Sequence, residues 1–145
     1  MRRPTLRLTI ASALLLASVS GCLRSTEAQP SLLQLDGSWT YTGVQMNPVP
    51  ENLQGTLTIS AGSGASFQGT LALVGTNPQT NQQRSLSGFV SGVVRNSNVV
   101  DFDFDVESTT RRHVGQIVAD TITGTWVGTA NEGTSGTFRA ERETR

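Results

Sequence analysis

The sequence predicts an all-β domain, an eight-stranded antiparallel barrel of up-and-down order, behind an export segment and a tether. Three observations predict it. From Leu35 onward, threonine, valine and aromatic residues alternate with glycine at period two. Turn clusters of Gly, Asn, Ser and Pro recur every 8 to 15 residues. No segment carries an apolar stripe at helical spacing.

The strands are justified in chain order. Gly37-Ser38-Trp39 opens the first, at 37–44, and Gly55-Thr56-Leu57 lies in the second, at 54–60. The third, at 65–74, holds Gly69-Thr70-Leu71, and the fourth is placed at 84–94. Alternating Asp101-Phe102-Asp103-Phe104-Asp105 marks the fifth, at 98–106, and the sixth is placed at 111–118. Gly124-Thr125-Trp126 lies in the seventh, at 121–127, and Gly136-Thr137-Phe138 in the eighth, at 134–142. The recurring triplet is Gly, then a hydroxyl residue, then a large apolar one. Positions i and i+2 of a strand share a face, so each copy sets a glycine beside a bulky residue inside and a hydroxyl outside. Alternation then assigns Trp39, Tyr41, Leu57, Ile59, Phe67, Leu71, Leu73, Phe102, Phe104, Ile122, Trp126 and Phe138 to the interior. The triplets start at irregular intervals, which disfavours a solenoid.

Ahead of the barrel, Arg2, Arg3 and Arg7 precede an apolar stretch of 12 residues, Leu8 to Val19, too short to span a bilayer as a helix. It ends in Val19-Ser20-Gly21-Cys22, which resembles the bacterial lipobox. The resemblance implies diacylglyceryl transfer to the Cys22 thiol and cleavage before Cys22. Residues 1–21 are therefore expected to be a lipoprotein signal peptide, 22–35 the lipidated cysteine and a flexible tether, and 36–145 the barrel domain. The tether reaches at most roughly 40 Å. Two or more acyl chains give stable membrane attachment, where one would be marginal. Leu23 stands where some bacteria place Asp for inner-membrane retention, so the expected address is the cell envelope, at the outer membrane where one exists.

Composition removes several function classes. From Cys22 onward there are 8 arginines against 11 carboxylates, a net charge of −3, which argues against a nucleic-acid partner. Lysine is absent, which reads as genome composition. Cys22 is the single cysteine, so no intrachain disulfide, Cys-ligated zinc or redox pair can form.

Gly37-Ser38-Trp39 opening the first strand, the eight-strand meander and an arginine late in the last strand resemble the calycins, the group of lipocalin and avidin barrels. The resemblance implies that Trp39 closes one barrel end with Arg142 packed over it, Arg139 being second choice, and that the interior either is filled or takes one small apolar ligand. Trp39 and Trp126 match avidin tryptophans, but Thr40 onward and Leu71 replace the Asn and Tyr that would hold biotin.

The remaining motifs read as structure. Asp101, Asp103 and Asp105 mimic the start of a calcium loop, but Val106 and Arg112 stand where Gly and Glu are needed. With a turn at Glu107 to Thr110, Asp105 is expected opposite Arg112. His113, the sole histidine, lacks a second His or Cys nearby and reads as a strand-edge side chain. The threonine rows are expected to be solvated outer faces. Ala61-Gly62-Ser63-Gly64-Ala65 lacks the lysine and helix of a phosphate loop and reads as a hairpin. No catalytic constellation, metal site or cofactor is expected. Three functions follow: a lipid-anchored envelope protein of structural or interaction role, contacting another envelope protein; a small apolar ligand-binding module; and, by fold analogy, an envelope protease inhibitor. The Gln45 to Gln54 and Asn77 to Arg84 loops are the expected places of contact or gating.

Overall fold

The computed structural model describes residues 35–96 and 98–144. The signal peptide, Cys22 and the tether up to residue 34 lie outside the described residues. The chain forms β1 (Gly37–Asn47), β2 (Glu51–Ala61), β3 (Ser66–Thr76), β4 (Gln83–Arg95), β5 (Val99–Val106), β6 (Thr109–Val118), β7 (Thr121–Gly128) and β8 (Ser135–Arg142). Each strand pairs antiparallel with the next, and β8 pairs back with β1 to close the barrel. This is the fold class the alternation predicts. Among the described residues no helix is long and apolar enough to cross a membrane.

The closed sheet has one dry face. Burial alternates along every strand, as in the β6 order Arg111, His113, Gly115 and Ile117 inside with Arg112, Val114, Gln116 and Val118 outside. Eight strands enclose a lumen just wide enough for side chains to fill it. Glycine is required where a neighbouring strand's carbonyl comes too close for a side chain. A Cβ on Gly69 would lie 2.0 Å from the Thr58 carbonyl oxygen, and one on Gly124 would lie 2.1 Å from that of Val114.

The two barrel ends differ. At the entry end, Leu35 is buried and its carbonyl accepts the Trp39 indole N–H at 2.9 Å. Leu35, assigned by sequence to the tether, is thus part of the barrel: an indole N–H pointing inward needs an acceptor, and this backbone supplies it. The Arg142 guanidinium lies 4.4 Å from the Trp39 ring centroid and donates to the Asp36 carbonyl at 2.7 Å and to Asp120 at 3.1 Å. Arg139 instead points outward and pairs with Glu141.

Several local expectations are corrected. The expected Gln45 to Gln54 loop shrinks to 48–50, because Gly43↔Leu53, Val44↔Asn52 and Gln45↔Glu51 extend the β1–β2 ladder. Buried Gln45 holds that short turn by donating to the Val49 carbonyl at 2.9 Å. The expected Asn77 to Arg84 loop likewise ends at residue 82, tightened by Asn77 Oδ1 accepting from the backbone N–H of Gln79 and Thr80. The β5–β6 turn needs only Glu107 and Ser108, with Glu107 at φ 56°. That register sets Asp105 opposite Thr110 and Asp103 opposite Arg112. Arg112 reaches diagonally to Asp101 at 2.8 Å, where Arg95 also pairs, and its hydrogen bond holds the Asp101 carboxyl below its ordinary range.

Candidate functional site

The candidate site is the polar cluster that runs from the barrel axis to the far end, opposite Leu35 and Trp39. The axis itself is occupied by stacked rings. Tyr41 and Phe138 lie 5.7 Å apart at an interplanar angle of 4°, and Phe102 stacks on the His113 ring at 4.5 Å. Trp126 lies 6.0 Å from His113 on another side, and Phe67 meets Phe102 edge-on at 6.2 Å. Phe104 lies at 6.4 Å from His113, while Trp39 closes the entry end. All seven inward aromatics named from the sequence (Trp39, Tyr41, Phe67, Phe102, Phe104, Trp126 and Phe138) are buried, and five of them lie around or stack on a histidine.

That histidine, which the sequence reading puts at a strand edge, is 1% exposed at the centre of the core. Alternation explains the correction. His113 is an even number of residues from Ile117, so the strand turns it inward with the apolar side chains. Its Nδ1 lies 2.9 Å from the Arg111 carbonyl, which can only accept, so Nδ1 carries the proton. Burial lowers its pKa to about 4, opposed by this backbone bond and aided by the Arg111 charge, which leaves the ring neutral at pH 7. Nε2 is then an acceptor, and the Tyr41 hydroxyl donates to it at 3.1 Å. Both ring nitrogens are engaged, leaving none for a metal. Burial also pushes the Tyr41 hydroxyl well above its ordinary range.

Two residues back along β6, the same alternation turns Arg111 inward, 3% exposed, with its guanidinium carbon 5.1 Å from the Trp126 ring centroid. Its Nε and Nη2 both donate to one oxygen of Glu132, which rides on the β7–β8 loop. Burial pushes the Glu132 carboxyl up, but its hydrogen bonds to Arg111 and the Arg111 charge hold it below its ordinary value. The pairing is incomplete. Arg111 Nη1, Trp126 Nε1, Glu132 Oε2 and Thr134 Oγ1 are buried without a hydrogen-bond partner. A Cβ on Gly128 would come within 2.5 Å of both Thr134 Oγ1 and Glu132 Oε2, so these side chains would have to shift to admit one. Beside it, Arg84 grips Glu51 through Nε and Nη2 and reaches buried Gln45 at 3.4 Å.

Sequence reasoning misses Arg111, Glu132 and Gln45. The signal for Arg111 and Gln45 is present, since the period-two assignment extends from Ile117 back to Arg111 and from Tyr41 on to Gln45. Glu132 sits in a loop and has no such period. Among the described residues, clefts open at the entry end beside Asp36 and Arg142, beside Asp101 and Arg112 where buried Phe67 and Phe102 also line the wall, and around the exposed Phe89.

No protein-family model and no curated protein matches the sequence. Among solved structures, the chain is similar to a redesigned β barrel, mFAP1, bound to DFHBI, at 15% identity and a TM-score of 0.62, covering 77% of this chain and 97% of that one. The EF1p2_mFAP2b barrel bound to DFHBI matches at 16% identity and 0.62, covering 77% and 95%. A de novo designed fluorescence-activating β barrel matches at 13% identity and 0.60, covering 77% and 96%. At such identities the likeness is one of fold.

Proposed function

We propose that the chain is a lipid-anchored, non-catalytic protein of the bacterial cell envelope whose filled barrel serves as a rigid scaffold, with its far-end loops turned toward an envelope partner. The observation that carries this reading is the occupied axis: Tyr41, Phe102, His113, Trp126 and Phe138 pack ring against ring where a ligand's apolar body would have to lie. Anchorage rests on Val19-Ser20-Gly21-Cys22, with the outer membrane the favoured address on account of Leu23. The chain enters the barrel at Leu35, at the Trp39–Arg142 end, and the 48–50, 77–82, 107–108 and 129–134 connections lie at the opposite end.

A second reading, a small-ligand carrier, is favoured by the unpartnered groups at the far end and by neighbours bound to DFHBI. Protease inhibition has only the fold analogy behind it. The anchor is tested by intact mass of protein extracted from its host's membranes. The mature chain is expected to start at Cys22 bearing diacylglyceryl, and Cys22→Ser to leave an uncleaved or soluble species. Cleavage elsewhere with a free thiol refutes the lipoprotein assignment.

A further inference from the structure

Two tryptophans occupy opposite ends of this barrel, and only one has a satisfied indole. Trp39 donates to the Leu35 carbonyl at 2.9 Å, whereas Trp126 Nε1 is buried with nothing to bind. Beside it, Arg111 is met along one edge by a single oxygen of Glu132, and its Nη1 is bare. Buried donors in native proteins are nearly always matched, and a guanidinium matches a carboxylate best when two oxygens take two N–H groups in parallel. Here both bonds converge on Oε1, and Oε2 is left without a partner.

The donors and their present acceptor also differ in how they are held. Arg111 and Trp126 stand on β6 and β7, adjacent strands locked by His113↔Trp126 and Arg111↔Gly128. Glu132 sits on the 129–134 connection, whose turn is closed by the Glu132 and Gly133 N–H groups on the Thr129 carbonyl, with Gly133 at φ 61°. The wall is fixed; the carboxylate is carried by a loop. With the loop moved away, the Arg111 guanidinium would lose its counter-charge, because neighbouring His113 is neutral and already bonded.

We propose that Arg111 and Trp126 form a binding site for a small monocarboxylate, and that Glu132 is a built-in occupant of this site which the ligand's carboxylate replaces. The ligand is small because the ring-packed axis admits no long apolar tail. The site lies at the end that the scaffold reading turns toward a partner, but it does not depend on the anchor, and the experiment below returns its result whether or not Cys22 is lipidated.

The test uses the full chain in detergent, labelled with nitrogen-15, and follows the two indole N–H resonances during titration with sodium benzoate, against sodium chloride at equal ionic strength. The expected result is a saturable shift of the Trp126 resonance with benzoate alone, the Trp39 resonance remaining in place. Glu132→Gln is expected to tighten binding at least tenfold and Arg111→Lys to abolish the shift. Should Glu132→Gln not fold, Glu132→Asp, which draws the carboxylate back from Arg111, reads the same tightening. A Trp126 resonance that benzoate leaves unmoved, or moves no more than chloride does, overturns the proposal. So does an affinity unchanged when Glu132 is replaced, which would leave only ordered water on these donors.

Discussion

Acidification should destabilise this barrel in a window set by one residue. The native His113 pKa is lowered to about 4, chiefly by burial, whereas an unfolded histidine titrates near 6.5. Between these values the unfolded chain binds a proton that the native state does not, so stability is full above about pH 6.5, falls as the pH drops toward 4, and loses nothing more from His113 below that. At about 1.36 kcal/mol per pKa unit the full loss is about 3 kcal/mol, of which roughly 2.4 kcal/mol falls between pH 7 and 4.5. His113 is the sole histidine, and the Asp101 and Glu132 carboxyls are both held below their ordinary range, so the window from 4.5 to 6.5 isolates it. Urea unfolding followed by tryptophan fluorescence at half-unit pH steps measures the loss, and His113→Phe should flatten the curve across that window. A wild-type stability that is level from pH 7 to 4.5, or a native His113 resonance titrating near 6.5, is incompatible with a histidine held neutral by burial.

Other substitutions probe separate links. Gly69→Ala drives a Cβ to 2.0 Å from a backbone oxygen that cannot step aside, so it should cost at least the roughly 1–3 kcal/mol of core overpacking, read as a lowered urea midpoint. Trp126→Ala, removing a side chain 1% exposed, should cost about 3–5 kcal/mol and, in a domain without disulfides, come close to unfolding it. Arg142→Met should cost about 1–2 kcal/mol through the lost ring contact and the freed Asp36 carbonyl, measured by thermal unfolding; an unchanged Tm would mean that the entry end is closed by Leu35 and Trp39 alone.

How much of this is legible in the sequence depends on the period of the signal. Alternation around Trp39, Phe102 and Trp126 reports a face directly, because a strand has only two, and the turn clusters set the number of strands. The same rule applied to β6 gives Arg111 and His113 as inward residues. Hydrophobicity hides them, because a histidine and an arginine look like surface, and only their partners, Tyr41, Trp126 and Glu132, make them tolerable inside. Glu132 is illegible in principle, since a loop residue has no period and its contact with Arg111 depends on how β7 and β8 close. The sequence overestimates loop lengths for a related reason. Gln45, Glu51 and Asn52 carry no apolar alternation, yet backbone pairing continues through them as far as Gln45↔Glu51. The Asp105–Arg112 pair fails by two residues, the difference between a four-residue and a two-residue turn.

Equilibrium binding probes the filled barrel axis itself. The barrel domain, free of detergent, would be titrated with an apolar fluorescent dye and a long-chain fatty acid while Trp126 emission is followed. No saturable complex is expected with either, since Phe102, His113, Trp126 and Phe138 occupy the space such a molecule would need. A one-to-one complex of micromolar or tighter affinity, quenching Trp126, would contradict the filled axis and make the barrel a carrier of apolar ligands.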